Sequence, residues 1–142
     1  MEERFRYIEE GPSADLVVEA CGPTLAEAFA SAALAMFNAM TPLEEVEKRA
    51  TKTMEVGGDD LGGLLYNFLD ELLFIHEAEL IVFSGIDVAL DEESLRATAV
   101  CSGEPFDLGR HEQGIAIKAV TFHQMRIEQR GGGWAIRVVF DT

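Results

Sequence analysis

The sequence has 142 residues and a mass of 15.6 kDa, the size of one compact domain, so we expect a single domain over residues 1–142. Its 48% hydrophobic residues exclude a globally disordered chain. With 11 Lys and Arg against 26 Asp and Glu, the formal net charge is −15. This surplus repels the phosphates of nucleic acids, so it argues against direct nucleic-acid binding and favours cationic partners or metal ions.

The start of the sequence and its cysteines predict a compartment. The opening Met1-Glu2-Glu3-Arg4-Phe5-Arg6 lacks the basic start and apolar run of a signal peptide. No apolar stretch approaches the roughly 18 residues that a membrane span needs. Cys21 and Cys101 form no CxxC pattern, and we expect both to be small core residues. These features predict a reduced, soluble, cytoplasmic protein without membrane contact.

The first predicted elements are a strand and a helix. Residues 14–20 alternate between apolar and polar positions, which is typical of a strand. Thr24 and Glu27 then form a capping-box pattern, and the helix that they begin ends at Thr41. Its apolar residues recur at helical spacing: Leu25, Ala28, Phe29, Ala32, Met36 and Met40.

A second helix and a run of strands follow. Residues 51–56 alternate like a strand, and Asp59 or Asp60 can cap a helix with a broad apolar stripe. From Glu79 onward the hydrophobic period is two, which indicates strands joined by short hairpin turns. The strands are predicted over residues 80–83, 86–90, 95–100, 115–128 and 134–140. Together these elements predict an α+β fold, with a largely antiparallel sheet and two amphipathic helices packed on one face.

Two carboxylates stand out because each lies at the end of a predicted strand. Asp15 lies where an irregular segment enters the first strand, and Asp141 follows the apolar run 138–140. Thr142 adds a terminal carboxylate if it is the natural end of the protein. If the first and last strands are close, these groups form a partial, open site that suits Ca²⁺. The alternative is that Asp15 caps a turn and Asp141 belongs to a frayed tail.

Lys118 is unusual because it interrupts an apolar and β-branched run, residues 115–122. Alternation places it on the same side of the strand as Val120 and Phe122. It could neutralise the acidic pair or contact a phosphate. The alternative is a lysine on an edge strand whose ammonium group extends into water.

The histidines show no catalytic or metal-binding pattern. His76, His111 and His123 lack ligand spacing, and none neighbours a Cys or Ser in a nucleophile motif, so we expect structural or surface roles.

Four segments resemble the archease family over nearly the whole length of the chain. They are Ala14-Asp15, Thr24-Leu25-Ala26-Glu27-Ala28-Phe29, Ile117-Lys118-Ala119-Val120-Thr121-Phe122-His123 and Val138-Val139-Phe140-Asp141-Thr142. The last two are the most specific. The sequence departs from the family where Pro12-Ser13 replaces His-Thr, and where Phe122 replaces a frequent Tyr.

The resemblance implies an accessory protein that is not itself an enzyme. Its partner would be the GTP-dependent RNA ligase of tRNA splicing and RNA repair, whose guanylylation and multiple turnover it would promote. The resemblance also implies a Ca²⁺ site at Asp15, Asp141 and Thr142, and a role in ligase activation for Lys118.

Two other classes of function stay open. One is a metal-assisted hydrolase that uses Asp15 and Asp141 as ligands and a Glu or His as base. The other is a chaperone-like interaction module with an incidental metal, which would have an exposed apolar patch.

Overall fold

Seven strands and two long helices make up the part of the chain that the structure, a computed structural model, describes: residues 4–8 and 15–142. In chain order they are β1 (Phe5–Ile8), β2 (Leu16–Gly22), α1 (Leu25–Met40), β3 (Ala50–Gly57), α2 (Leu61–Glu79), β4 (Ile81–Asp91), β5 (Arg96–Pro105), β6 (Ala119–Arg130) and β7 (Gly133–Asp141). A short 3-10 helix, Leu43–Glu45, lies between α1 and β3.

All strand pairs are antiparallel, and the strands form two sheets. The four-stranded sheet has the order β1-β2-β7-β6, and the three-stranded sheet has the order β3-β5-β4. The predicted α+β class, with two helices in one domain, is thus confirmed. The division into two sheets does not follow from the strand patterns, because alternation indicates which face of a strand is buried and not which strand lies beside it.

Side-chain caps fix the predicted helix starts. The hydroxyl of Thr24 accepts a hydrogen bond from the backbone N–H of Glu27 at 3.1 Å. A carboxylate oxygen of Asp60 accepts one from Gly63 at 2.7 Å, so Asp60 caps α2. Each cap satisfies a backbone donor that the helix cannot pair internally. No helix within the described residues is long and apolar enough to cross a membrane.

The two predicted hairpin turns are also confirmed. Between β4 and β5, a carboxylate oxygen of Asp91 accepts hydrogen bonds from the N–H groups of Glu93 and Ser94. Between β6 and β7, Gly131 and Gly132 have φ angles of +59° and +85°. Two consecutive positive φ values suit the tight turns that match the twist of paired strands, and glycine adopts them without a steric penalty.

The core lies around α1, which packs against both sheets. It contacts β2 and β7 of the four-stranded sheet and β4 of the three-stranded sheet. Its residues 28–37 are all buried, as expected of a helix enclosed on every side. Helix α2 packs on β6 and on the three-stranded sheet, and its Phe68 contacts Phe29 of α1 with ring centroids 5.5 Å apart.

The two cysteines lie in different environments. Cys101 is fully buried, and burial raises the pKa of its thiol to about 12. Cys21 is exposed, so the prediction that it is a core residue is wrong. The reason is the strand period: Val18 and Ala20 point into the core, which turns the intervening and following side chains of β2 outward.

Candidate functional site

Three chain segments meet at one end of the four-stranded sheet. β2 and β7 are antiparallel neighbours, with Leu16 opposite Phe140. Asp15 precedes Leu16 and Asp141 follows Phe140, so the two aspartates lie at the same end of adjacent strands. The predicted site required the first and last predicted strands to be close together. They are neighbours in the sheet, as β2 and β7.

Lys118 reaches the same end of the sheet from the third segment. β6 pairs with β7 so that Ala119 lies opposite Asp141. The backbone N–H of Lys118 donates a hydrogen bond of 2.8 Å to the carbonyl oxygen of Asp141. Asp15, Lys118 and Asp141 are all exposed. We call these three residues, together with Thr142, the strand-end cluster.

Packing along β7 fixes the position of Asp141. Val138 and Phe140 are fully buried in the core between the sheet and the helices. The strand continues through Asp141, and Thr121 of β6 donates a side-chain hydrogen bond of 2.8 Å to the carbonyl oxygen of Val139. Asp141 is thus the exposed last residue of a buried, hydrogen-bonded strand. The alternative that it belongs to a frayed tail is wrong.

The strand-end cluster offers only part of the ligand set that a hard cation takes. Ca²⁺ takes about six to eight oxygen ligands, and carboxylates are among those it prefers. Asp15 and Asp141 supply two carboxylates. Among residues 4–8 and 15–142, no group of three or more His, Cys, Asp and Glu side chains could hold a metal. Water or a partner would have to complete the coordination. The Pro12-Ser13 departure from the family pattern lies outside the described residues.

The strand that follows Lys118 is shorter and less regular than the sequence predicts. β6 begins at Ala119 rather than at residue 115, so Lys118 precedes the strand. The pairing with β7 shifts between Thr121 and Arg126. Val120 is therefore buried while Phe122 is 59% exposed. The expectation that Lys118 shares a side of the strand with both of them is wrong, because an irregular register breaks the two-residue period.

The role of His111 follows from a buried carboxylate, Glu104, which lies away from the strand-end cluster. Arg110 donates hydrogen bonds of 2.8 and 3.1 Å to the carboxylate of Glu104, and the N–H of Glu47 donates a third. The Arg110 bonds, followed by the Glu47 bond, hold the pKa of Glu104 well below its usual range. Asp107 donates its N–H to Nδ1 of His111, so Nε2 carries the proton that bonds to Glu104 at 2.9 Å. His111 is thus structural, as predicted.

The sequence-based prediction missed a charged surface on the face of the four-stranded sheet that points away from the helices. Arg126, Glu128 and Arg130 are spaced two residues apart in β6, which places them on one face of the strand. Arg137 of β7 lies opposite Arg126. The spacing within β6 is visible in the sequence. The position of Arg137 beside these residues is not visible in the sequence, because it depends on β7 being the neighbour of β6 in the sheet.

A profile of the Archease protein family (MTH1598/TM1083) matches residues 5–142, a range that includes the whole strand-end cluster. The chain belongs to the archease family. The predicted family membership is therefore confirmed over nearly the full length of the chain.

Proteins named archease from several archaea are similar to this archease along almost their entire lengths. The one from Methanothermobacter thermautotrophicus is 43% identical over 131 residues, which cover 91% of this chain and 93% of that protein. The one from Pyrococcus abyssi is 39% identical over 141 residues, covering 97% and 98%. The one from Sulfurisphaera tokodaii is 35% identical over 139 residues, covering 98% and 99%.

Solved structures of the family share the fold. The solution structure of Methanobacterium thermoautotrophicum protein 1598 superposes with a TM-score of 0.87 at 39% identity, covering 99% of this chain and 100% of that one. The crystal structure of a Thermotoga maritima protein, described as an archease and possible chaperone, gives a TM-score of 0.64 at 17% identity, covering 96% and 100%. At that identity the second likeness shows the fold alone.

Proposed function

We propose that this archease activates a GTP-dependent RNA ligase of the tRNA-splicing and RNA-repair class. It would promote guanylylation of the ligase and repeated turnover, without joining RNA itself. The observation that supports this role is the convergence of Asp15, Lys118 and Asp141 at one exposed sheet end. Two acidic groups and one basic group held at the ends of paired strands suit the positioning of charge in a partner's active site.

The strand-end cluster would also hold a divalent cation, with Ca²⁺ as the proposed ion. Asp15 and Asp141 would supply carboxylate oxygens, and Thr142, provided that it is the natural end of the protein, would add a terminal carboxylate. A bound cation supplies positive charge that can stabilise the phosphates of a nucleotide. The chain's own part is to fix Asp15 and Asp141 at the same end of two paired strands, to keep both exposed to a partner, and to place Lys118 at that sheet end.

A variant of the proposal gives the cation a smaller role. The acidic end of the sheet would pair with basic groups in the ligase pocket and reshape that pocket, while the metal keeps the cluster in its conformation. Complementary charges across an interface favour association in this way. The two versions differ in whether the cation or the carboxylates face the ligase.

The decisive experiment measures guanylylation of the host's RNA ligase over many turnovers. Purified ligase and GTP would be mixed with the wild-type protein or with Asp15→Ala, Asp141→Ala or Lys118→Ala. We expect each variant to lower the stimulation about tenfold or more, equivalent to roughly 1.4 kcal/mol in the activation barrier. Asp87→Ala is the matched control, because Asp87 is an exposed acid of β4 in the other sheet. Full stimulation by all three variants would contradict the assignment.

Calcium titration by calorimetry tests the metal separately. Asp15→Ala and Asp141→Ala should abolish binding, whereas Lys118→Ala should retain it because an ammonium group is not a metal ligand. A variant with one residue added after Thr142 tests whether the terminal carboxylate takes part. If the wild-type protein binds no divalent cation yet stimulates the ligase, the metal is dispensable and the acidic surface acts directly.

A second candidate function is a chaperone-like interaction module, favoured by an apolar groove elsewhere on the surface. The groove has a volume of about 320 Å³ and lies between the ends of α1 and α2 and the segment before β6. Leu80 and Ile115, both in its lining, are 65% and 44% exposed. Binding of the ligase that persists with a chelator present and is lost in Leu80→Ser would favour this module.

The hydrolase class is tested with the purified protein alone. Release of phosphate from nucleotides or phosphate esters, lost in Asp15→Ala, would replace the accessory role by an enzymatic one. Within the described residues, His111 is not available as a base, because both its ring nitrogens bond to protein groups.

A further inference from the structure

Helix α2 turns aromatic and acidic side chains toward solvent. Tyr66, Asp70, Phe74 and Glu77 follow one another at intervals of three or four residues, so they lie on one side of the helix. Asp70 and Glu77 are exposed, and Phe74 is 62% exposed. The side of α2 that includes Phe68 packs into the core. Core packing therefore does not explain a phenylalanine on the outer side.

The ring of Phe122 extends this side of the helix. It stacks on the ring of Tyr66, with centroids 4.3 Å apart and an angle of 9° between the two planes. Phe122 is nevertheless 59% exposed, so Tyr66 covers one side of its ring and leaves the other to solvent. A ring held by stacking loses little conformational entropy when a partner contacts it. We call Tyr66, Asp70, Phe74, Glu77 and Phe122 the α2 face.

An irregular stretch of β6 places Phe122 against the helix. Residues 122–125 form an insertion relative to β7, because the pairing register shifts between Thr121 and Arg126. Within this stretch Gln124 has a φ of +56°, a left-handed conformation that is uncommon for residues other than glycine. Insertions of this kind bend a strand and change the direction of its side chains. The exposure of Phe122 is thus built into the backbone of β6.

Most carboxylates of α2 have no basic partner within the protein. The helix has four acidic residues and no Lys or Arg. The acidic residues are Asp70, Glu71, Glu77 and Glu79. All 11 Lys and Arg of the sequence lie within the described residues, and of these only Lys52 forms an ion pair with the helix, through Glu79. The other three carboxylates are therefore unpaired by any Lys or Arg of the chain.

Open aromatic rings beside unpaired carboxylates select a basic occupant. An arginine guanidinium can lie on an aromatic ring and also donate hydrogen bonds to a carboxylate. Asp70 and Phe74 are four residues apart, about 6 Å along the helix axis, which is within reach of one arginine side chain. A second copy of this chain would bring like charges together, and RNA would bring phosphates against carboxylates. A basic segment of a partner protein is the occupant that the charges favour.

We propose that the α2 face docks a basic segment of the RNA ligase, whose arginine side chains lie on Phe74 and Phe122 and pair with Asp70 and Glu77. This inference rests on the proposed function, because it takes the ligase as the partner. Four residues of chain span at most about 14 Å, so the backbones of Lys118 and Phe122 lie within that distance. One partner can therefore contact the strand-end cluster and the α2 face together. The α2 face supplies affinity, and the cluster acts in the ligase pocket.

Docking is tested by two measurements with the host's RNA ligase. Biolayer interferometry gives its affinity for the protein, and guanylylation over many turnovers is followed as the concentration of the protein is raised. We expect Phe74→Ala and Asp70→Lys each to weaken the affinity about tenfold and to raise the concentration for half-maximal stimulation by a similar factor. Maximal stimulation should stay at the wild-type level, because neither residue belongs to the strand-end cluster. Added NaCl should weaken binding.

Control variants match each change. Glu92→Lys alters the net charge as much as Asp70→Lys does, at an exposed turn residue. Val100→Ala shortens an exposed apolar side chain of the three-stranded sheet and is the control for Phe74→Ala. Both controls should bind the ligase like the wild type. Phe122→Tyr keeps the stacked ring and should also bind normally, whereas Phe122→Ala should bind more weakly. Thermal melting of each variant checks that it is folded.

The outcomes separate this inference from the proposed function. If the wild type stimulates the ligase and the Phe74→Ala and Asp70→Lys affinities equal those of their controls, the α2 face is not the docking surface and the proposed function stands. If the wild type binds through this face without stimulating the ligase, docking stands and activation does not. Absence of ligase binding overturns both. A dimer of the wild-type protein that Phe74→Ala dissociates would overturn the inference in favour of a second copy.

Discussion

The backbone N–H of Lys118 donates a hydrogen bond of 2.8 Å to the carbonyl oxygen of Asp141. The two residues are thus tied together through the main chain, and both side chains are exposed. The contribution of Lys118 to the position of the sheet end is therefore separable from the chemistry of its ammonium group.

Substitutions at Lys118 should separate these two contributions. Lys118→Ala keeps the N–H group, so we expect its free energy of unfolding to stay within about 0.5 kcal/mol of the wild-type value, while ligase stimulation is lost. Lys118→Pro removes the donor and should cost about 1 kcal/mol or more. Urea denaturation and the guanylylation assay provide the measurements. A Lys118→Ala protein that unfolds more easily than Lys118→Pro would show that the side chain, and not the main chain, stabilises this end.

Removal of the α2 cap should destabilise the protein by about 1 kcal/mol. Asp60→Ala deletes the oxygen that accepts the N–H of Gly63 at 2.7 Å and leaves that donor unpaired. Asp60→Asn keeps a side-chain oxygen at the same position and should be close to the wild type. Asp59→Ala is the control for loss of an acidic residue, since Asp59 is exposed and precedes the cap. Equal unfolding free energies for Asp59→Ala and Asp60→Ala would argue against the cap as the cause.

Phe140→Ala should be among the most damaging substitutions near the strand-end cluster. The ring is fully buried, and its loss leaves a cavity at the end of β7, so we expect a cost of about 3–5 kcal/mol. Phe140→Leu retains most of the volume and should cost less. Chemical denaturation gives the free energies. Calcium binding by Phe140→Leu then tests whether packing under Asp141 is needed to hold the cluster.

Low pH should lower the stability of the folded protein, in part because Glu104 becomes protonated. Hydrogen bonds from Arg110 and from the backbone of Glu47 lower the pKa of this carboxyl in the folded state below its ordinary value of 4.5. The stabilisation is therefore complete above pH 4.5 and is lost as the pH falls from there through the folded-state pKa. Glu104→Gln should be less stable than the wild type at neutral pH, and this difference should shrink in acid.

Thermal melting between neutral pH and acid provides the measurement for Glu104. Glu92→Gln serves as the control because Glu92 is exposed in a turn. A difference between wild type and Glu104→Gln that does not change with pH would remove Glu104 from the acid-sensitive groups.

The two thiols should react at very different rates. Cys21 is exposed and should be alkylated in the folded protein, whereas Cys101 is fully buried with a pKa raised to about 12. Because the thiolate is the reactive form, Cys101 should react only after unfolding. Mass spectrometry of the native and the urea-unfolded protein, each after a short exposure to iodoacetamide, should show one and two adducts, respectively. Two adducts on the native protein would contradict the buried placement of Cys101.

The local elements could be predicted from the sequence because their signals are local. The Thr24 cap, the apolar stripe of α2 and the glycines after Arg130 each act within a few residues, and all three are present as expected. The late start of β6, at Ala119 and not at residue 115, was not predicted from the sequence. The register shift that follows it arises from pairing with β7, which the strand's own sequence does not encode.

By itself, the sequence determined the two helices, most of the strands, the α+β class, the family and Asp15 and Asp141 as candidate residues. Only the tertiary structure decided that the strands form two sheets, that Asp15, Lys118 and Asp141 meet at one sheet end, and that Arg126 faces Arg137. The physical reason is that periodicity and capping are short-range, whereas strand order and register depend on contacts between residues more than one hundred positions apart, such as Leu16 and Phe140.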